Sequence, residues 1–324
     1  MKKIISLLLV LVMALGAFAL TGCKKQTLHL GLGVYSSVSA TDATEDKAGE
    51  GKATVTAAAV LLDKDGKIVK AVIDCADSAV KYTAEGKAEK AGEFKTKYEQ
   101  GADYGMVAYA GSAKEWYEQA DAFCELAIGK TADEVKALVA SDGKGTDDVV
   151  NAGCTIDVSD FVKALEAAIK NATDAEIKEE VTLKLSMSTT ATPADATEDK
   201  AGSNKVETTV FAAAVDADGK VVEASADCVE VDFTFDQTGK SKFDAKKEVL
   251  SKRQKGADYG MKAYAGSEKE WFEQADAFCA ATVGKTASDI EALATTDGKG
   301  NADVQAAGCT IYVSGFVKAA SKIG

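Results

Sequence analysis

The chain has 324 residues and a mass of 33.6 kDa, which suits one large domain or, better, two ordinary ones. A composition of 46% apolar and 27% charged residues is that of a soluble globular protein and argues against disorder or a multi-span membrane protein. The formal net charge of −13 argues against a nucleic-acid partner, because phosphate backbones recruit an excess of Lys and Arg.

Residues 1–22 read as a secretory signal, with Lys2 and Lys3, an apolar run from Ile4 to Leu20 and then small residues. The run ends in Leu20-Thr21-Gly22-Cys23, which resembles the lipobox of bacterial lipoproteins. That resemblance implies a chain lipidated at Cys23 and held on the extracytoplasmic face of the cell membrane. Two acyl chains are enough for stable anchoring.

Leu28, Leu30, Leu32 and Val34 alternate as in a strand. The stretch from Ala53 to Cys75 predicts two further strands joined at the turn Asp65-Gly66. Asp63 to Lys67 resembles a calcium loop only superficially, since Gly66 falls at the fourth position and Asp74 at the twelfth. Trp116, Ala120, Phe123 and Cys124 form one apolar helical stripe. Gly129-Lys130-Thr131 lacks the first glycine of a phosphate loop, where Cys124 stands. Thr131 with Glu134 forms a capping box, and Ser159 is expected to cap a last helix bearing Phe161, Val162, Leu165 and Ile169.

The same unit is then written again. Gly101 to Cys124 reappears as Gly256 to Cys279, Trp116 recurs as Trp271, and Thr155 recurs as Thr310 at the same offset. Asp-Ala-Thr-Glu-Asp-Lys-Ala-Gly begins at Asp42 and again at Asp195, at an offset two residues shorter. Each unit spans about 145 residues, which is domain-sized. The predicted organisation is repeat 1 over 23–172, a linker over 173–180 and repeat 2 over 181–324. Each repeat is expected to be α+β, an antiparallel sheet covered by helices.

His29 is the only histidine, which excludes histidine-dependent triads and histidine metal sites. Six cysteines follow Cys23, three per repeat, without a Cys-x-x-Cys pair. Cys75 and Cys124, like Cys228 and Cys279, read as small core residues, and a Cys75–Cys124 bridge stays open because spacing does not fix geometry. Tyr104, Trp116 and Tyr117 suit a core or a flavin-stacking platform.

The remaining candidate is Asp148 to Ile156 and its copy Asp303 to Ile311, each carrying Ala-Gly-Cys-Thr. Gly153 and Gly308 let the backbone approach a bulky group, and the helix that follows offers amides to a phosphate. Asp148 and Asp303 supply a carboxylate for a metal or for activating the threonine hydroxyl in a partner's active site. The alternative is a tight turn into a buried strand, with Cys154 and Thr155 merely packing.

These motifs, behind a signal ending in Leu-x-Gly-Cys, resemble the FMN-bearing lipoproteins of Gram-positive extracellular electron transfer, of the peptide-pheromone-encoding lipoprotein A (PplA) type. The resemblance covers nearly all of the mature chain. It implies FMN joined by a phosphoester to Thr155 and Thr310, installed by an FAD:protein FMN transferase with magnesium. It also implies an electron carrier rather than an enzyme, fed by a membrane NADH dehydrogenase and quinol pool and discharging to ferric iron or another extracellular acceptor. The common flavinylation pattern is Asp-x-x-Ser/Thr-Gly-Ala-Thr, and the departure here touches the aspartates more than the threonines. A small-ligand-binding surface lipoprotein without covalent cofactor is the competing expectation.

Overall fold

The computed structural model describes residues 27–324, apart from 93 and 179. The signal 1–22 and the lipidation candidate Cys23 lie outside the described residues. Repeat 1 opens with the antiparallel meander β1 (His29–Thr41), β2 (Gly49–Leu62) and β3 (Ile68–Tyr82). At the β2–β3 turn Gly66 adopts φ 73°, and Asp63 Oδ1 accepts the N–H groups of Asp65 and Lys67 at 2.9 Å each. The carboxylate that opens the calcium-like sequence therefore closes its own hairpin.

The helices α1 (Lys97–Gln100), α2 (Trp116–Ala127), α3 (Ala132–Lys136), α4 (Asp147–Ala152) and α5 (Ser159–Lys170) follow. The Thr131–Glu134 capping box is formed. Ser159 is not a cap. It is the first residue of α5, its hydroxyl donates to Gly143 O at 3.3 Å, and Asp157 Oδ1 accepts its N–H at 2.8 Å. Repeat 2 has β4 (Thr182–Ala194), β5 (Gly202–Val215) and β6 (Val221–Phe235), then α6 (Lys252–Lys255), α7 (Met261–Ala265), α8 (Trp271–Thr282), α9 (Ala287–Glu291), α10 (Ala302–Ala306) and α11 (Ser314–Ala320). Among the described residues no helix is long and apolar enough to cross a membrane.

The period-2 alternation of the central strands sends side chains into two different cores. On β2, Ala58, Val60 and Leu62 pack with Phe123 and Leu165 of the helices. Ala53, Val55, Ala57, Ala59 and Leu61 join a cluster shared with Val210, Ala212 and Phe233 of the second sheet. On β5, Phe211, Ala213 and Val215 likewise turn to their own helices. The fold is four layers, helices on sheet on sheet on helices, and the middle core belongs to both repeats.

A pseudo-two-fold relates the halves, as in an isologous interface within one chain. Tyr82 and its counterpart Phe235 stack on each other with ring centroids 4.2 Å apart and planes 6° apart. Ala43 N–H donates to Gly239 O and Ala196 N–H to Gly86 O, both at 2.8 Å. Asp42 accepts Ser241 N–H at 2.8 Å, and Asp195 accepts Ala88 N–H at 2.9 Å. The repeated Asp-Ala-Thr-Glu-Asp-Lys-Ala-Gly segment thus supplies reciprocal contacts between repeats. The linker is extended rather than helical. Thr173 N–H donates to Leu30 O at 2.8 Å, and Leu28 and Ile177 exchange two bonds of 2.9 Å.

Candidate functional site

Each Ala-Gly-Cys-Thr segment is the end of a short helix. Gly153 caps α4 and Gly308 follows Ala307, the cap of α10, with φ 97° and 96°, a left-handed conformation in which a side chain is strained. A Cβ at either position would also collide with a lysine, Lys114 at Gly153 and Lys269 at Gly308. The clearance expected for a bulky group is used here by these lysines, whose ammonium groups donate to Ala152 O and Ala307 O at 3.3 Å each.

The next two residues diverge in fate. Cys154 and Cys309 are fully buried, and burial pushes both thiols up to about 11. At neutral pH they are protonated and shielded, so neither is a nucleophile. Burial likewise holds Cys75 and Cys228 up to about 12. All six described cysteines are unbridged, so Cys75 and Cys124 pack as thiols.

Thr155 and Thr310 are exposed. Thr155 donates both its backbone N–H and its hydroxyl to Gln119 Oε1, at 2.8 and 3.1 Å. Thr310 does the same to Gln274 Oε1, at 2.9 and 3.0 Å. Gln119 is 0% exposed and Gln274 1%, yet both amides are satisfied. Gln119 Nε2 donates to Ser112 Oγ at 3.0 Å and Lys114 O at 3.1 Å. Gln274 Nε2 donates to Ser267 Oγ at 3.1 Å and Lys269 O at 3.3 Å. With its proton committed to the glutamine, each threonine oxygen keeps its lone pairs toward solvent.

The loop that Gln119 holds through Ser112 also carries Tyr109, 89% exposed, matched in repeat 2 by Tyr264 at 89%. Glu115 fixes this loop by accepting the N–H groups of Met106 and Val107 at 3.0 and 3.3 Å. Tyr109 and Tyr264 therefore offer open aromatic faces. Trp116 does not: it is 4% exposed and meets Phe161 edge-on at 5.6 Å. Tyr104 is half-buried beside the Lys97 ammonium, 5.1 Å from its centroid.

Asp148 and Asp303 lie exposed in the first turns of α4 and α10. The threonine hydroxyls bond to glutamine and not to these carboxylates. Among the described residues no group of three or more His, Cys, Asp or Glu side chains gathers to hold a metal ion. The first amide of α5 is occupied by Asp157.

Gln119, Gln274, Lys114 and Lys269 complete the site, and no motif in the sequence marks them. The available signal was a polar residue on the apolar stripe: Gln119 sits on the same helix face as Trp116, Ala120 and Phe123, all buried. A polar side chain retained on a core face needs a partner there. No protein-family model, curated protein or solved structure matches the chain.

Proposed function

We propose that the chain is a lipid-anchored electron carrier bearing FMN through a phosphoester on Thr155 and on Thr310. The observation that carries this reading is an exposed threonine whose N–H and hydroxyl are fixed by one buried glutamine, with a lysine alongside, in both repeats. Such an arrangement suits an acceptor for another enzyme's chemistry, since the turn itself holds no general base.

In the transfer, the threonine oxygen attacks the FMN phosphorus of FAD. A phosphorus–oxygen bond forms, the pyrophosphate bond breaks, AMP departs with the bonding electrons and the hydroxyl proton is released. The flavin transferase and its magnesium assist the leaving group. Gln119 and Gln274 orient the attacking oxygen, and Lys114 and Lys269 offset the charge of the phosphodiester that results. Tyr109 and Tyr264 present aromatic faces to a flat ring. The bound flavin supplies reversible electron transfer, and the protein supplies attachment, orientation and charge. Electrons would pass from the membrane quinol pool, through a chain tethered at Cys23, to ferric iron or a comparable acceptor.

The test is to produce the mature chain with and without an FAD:protein FMN transferase, FAD and magnesium, and to view it under ultraviolet light after denaturing electrophoresis. A fluorescent band that depends on the transferase supports the reading. A dark band in both lanes overturns it.

A further inference from the structure

Where the last helix of each repeat meets its sheet, the two repeats differ in a way that opens a cavity in one of them. In repeat 1, Tyr35 of β1 is half-buried against the core. The Lys163 ammonium lies 4.0 Å from its ring centroid and 3.8 Å from Asp160 Oδ1. In repeat 2 the same positions are Ser188, Lys318 and Gly315. That ring and that carboxylate are gone, and a cavity of about 140 Å³ is left, lined in part by the exposed Lys318 and by Tyr312, which stands where repeat 1 has Asp157.

Its walls are mixed. Trp271 and Phe316 form the apolar side, while Thr190, Thr209 and Ser314 contribute hydroxyls. At the base Lys252, 7% exposed, is paired with Glu207 at 3.2 Å and Glu230 at 3.0 Å, and Lys205 pairs with Glu230 at 3.0 Å. Two ammonium groups therefore face two carboxylates. Lys318 has no ion-pair partner among the described residues, so the site carries one positive charge without a counterpart.

We propose that repeat 2 binds a small hydroxylated carboxylate here, its carboxylate on Lys318 as Asp160 stands on Lys163 in repeat 1, and its body in the space that Tyr35 fills. The volume suits a molecule the size of a phenol ring or a three-carbon acid. The uncompensated lysine favours an anion over a neutral or cationic ligand, and the buried Thr209 hydroxyl, with the exposed hydroxyls of Thr190 and Ser314, offers hydrogen bonds to polar substituents. The inference is independent of any flavin on Thr310, and its test uses chain made without the transferase.

Saturation-transfer NMR and calorimetry on the mature chain would use glycerate, lactate and 4-hydroxybenzoate as probes, with glycerol and ethanolamine as controls. At least one carboxylate is expected to bind, one per chain, with the controls silent. Ser188→Tyr should abolish this binding, and Lys318→Gln should weaken it about tenfold, the loss of one charge-assisted contact. Tyr35→Ser combined with Asp157→Tyr and Asp160→Gly should raise the stoichiometry to two, because Asp157 also acts on Lys163 and stands where the cavity has Tyr312; misfolding does not produce such a gain. Silence from all three carboxylates, equal binding of glycerol or ethanolamine, or binding unchanged by both Ser188→Tyr and Lys318→Gln would overturn the proposal.

Discussion

Repeat 1 and repeat 2 present their threonines in closely similar ways, with Gln119 at 2.8 and 3.1 Å from Thr155 and Gln274 at 2.9 and 3.0 Å from Thr310. They part company where the last helix lies on the first strand. In repeat 1, Gly31 and Gly33 admit the carbonyls of Ala168 and Ala164, where a Cβ would clash. In repeat 2, Lys184 and Ser186 stand there, and the Ser186 hydroxyl donates to Ala319 O at 2.7 Å. The helix laid on those residues spans 12 residues in repeat 1; in repeat 2 it spans 7 and continues as a 3-10 turn over Ser321–Ile323. A buried aspartate shows the same divergence: Asp227 has Arg253 beside it, whereas Asp74 has Tyr98 at that position. The lesson is that one backbone plan keeps the threonine clamp and the reciprocal inter-repeat contacts while a handful of side chains gives each half its own polar interior.

The largest expected effect concerns what the halves share. Tyr82→Ala should cost about 4 kcal/mol of stability, the usual loss for a large buried aromatic. Phe235→Ala should cost roughly 1 kcal/mol less, since it lacks a hydrogen bond equivalent to Tyr82 Oη to Thr41 O at 2.7 Å. Denaturant titration of either variant should show one cooperative transition, because both rings belong to one interface. Separate transitions for the two repeats would break the shared-core account.

The next effect sharpens the difference between the buried aspartates. Burial raises Asp74 from 3.8 to about 6, against the opposing hydrogen bonds from Thr96, Cys75 and Tyr98. The folded state then binds the proton more tightly than the unfolded chain, so stability from this group is present below pH 3.8 and is lost as pH rises through about 6. The change is on the order of 3 kcal/mol. Asp74→Asn should flatten the pH dependence of stability across that window and stabilise the protein at neutral pH. Asp227 is also raised by burial, but Ser251 and Arg253 act against the rise. Asp227→Asn should give a smaller gain or a loss, because it strips Arg253 of a charge partner. Matching pH profiles for the two variants would contradict this distinction.

Gln119→Leu should cost about 2 kcal/mol, because the Thr155 N–H and the groups around the amide lose their partner. It should also lower flavin incorporation at Thr155 while leaving Thr310 unchanged, as read by peptide mass spectrometry. The smallest effect is Ser186→Ala, about 1 kcal/mol in thermal unfolding, for one buried hydrogen bond.

Much of the fold was legible because it is local. The Asp65-Gly66 turn, the Thr131–Glu134 capping box and the alternation at Leu28 to Val34 each follow from a few neighbouring residues. The four-layer arrangement was less so, since each repeat reads as a sheet needing one cover. The clue was Ala57 to Leu62, an unbroken apolar run that is buried on both faces of β2, as a strand between two layers must be. Ser159 misled because hydroxyl caps and hydroxyl tertiary contacts look alike in sequence. At the site, the glycines and threonines were visible, but their clamp comes from Gln119 and Gln274, 36 residues away, and only the fold brings them together.

The most direct test of the central claim is peptide mapping of the mature chain produced with the flavin transferase. The account predicts one FMN phosphoester on the peptide containing Thr155 and one on the peptide containing Thr310. Thr155→Ala should remove the first and leave the second. Unmodified peptides, or flavin retained in the chain carrying both Thr155→Ala and Thr310→Ala, would contradict it.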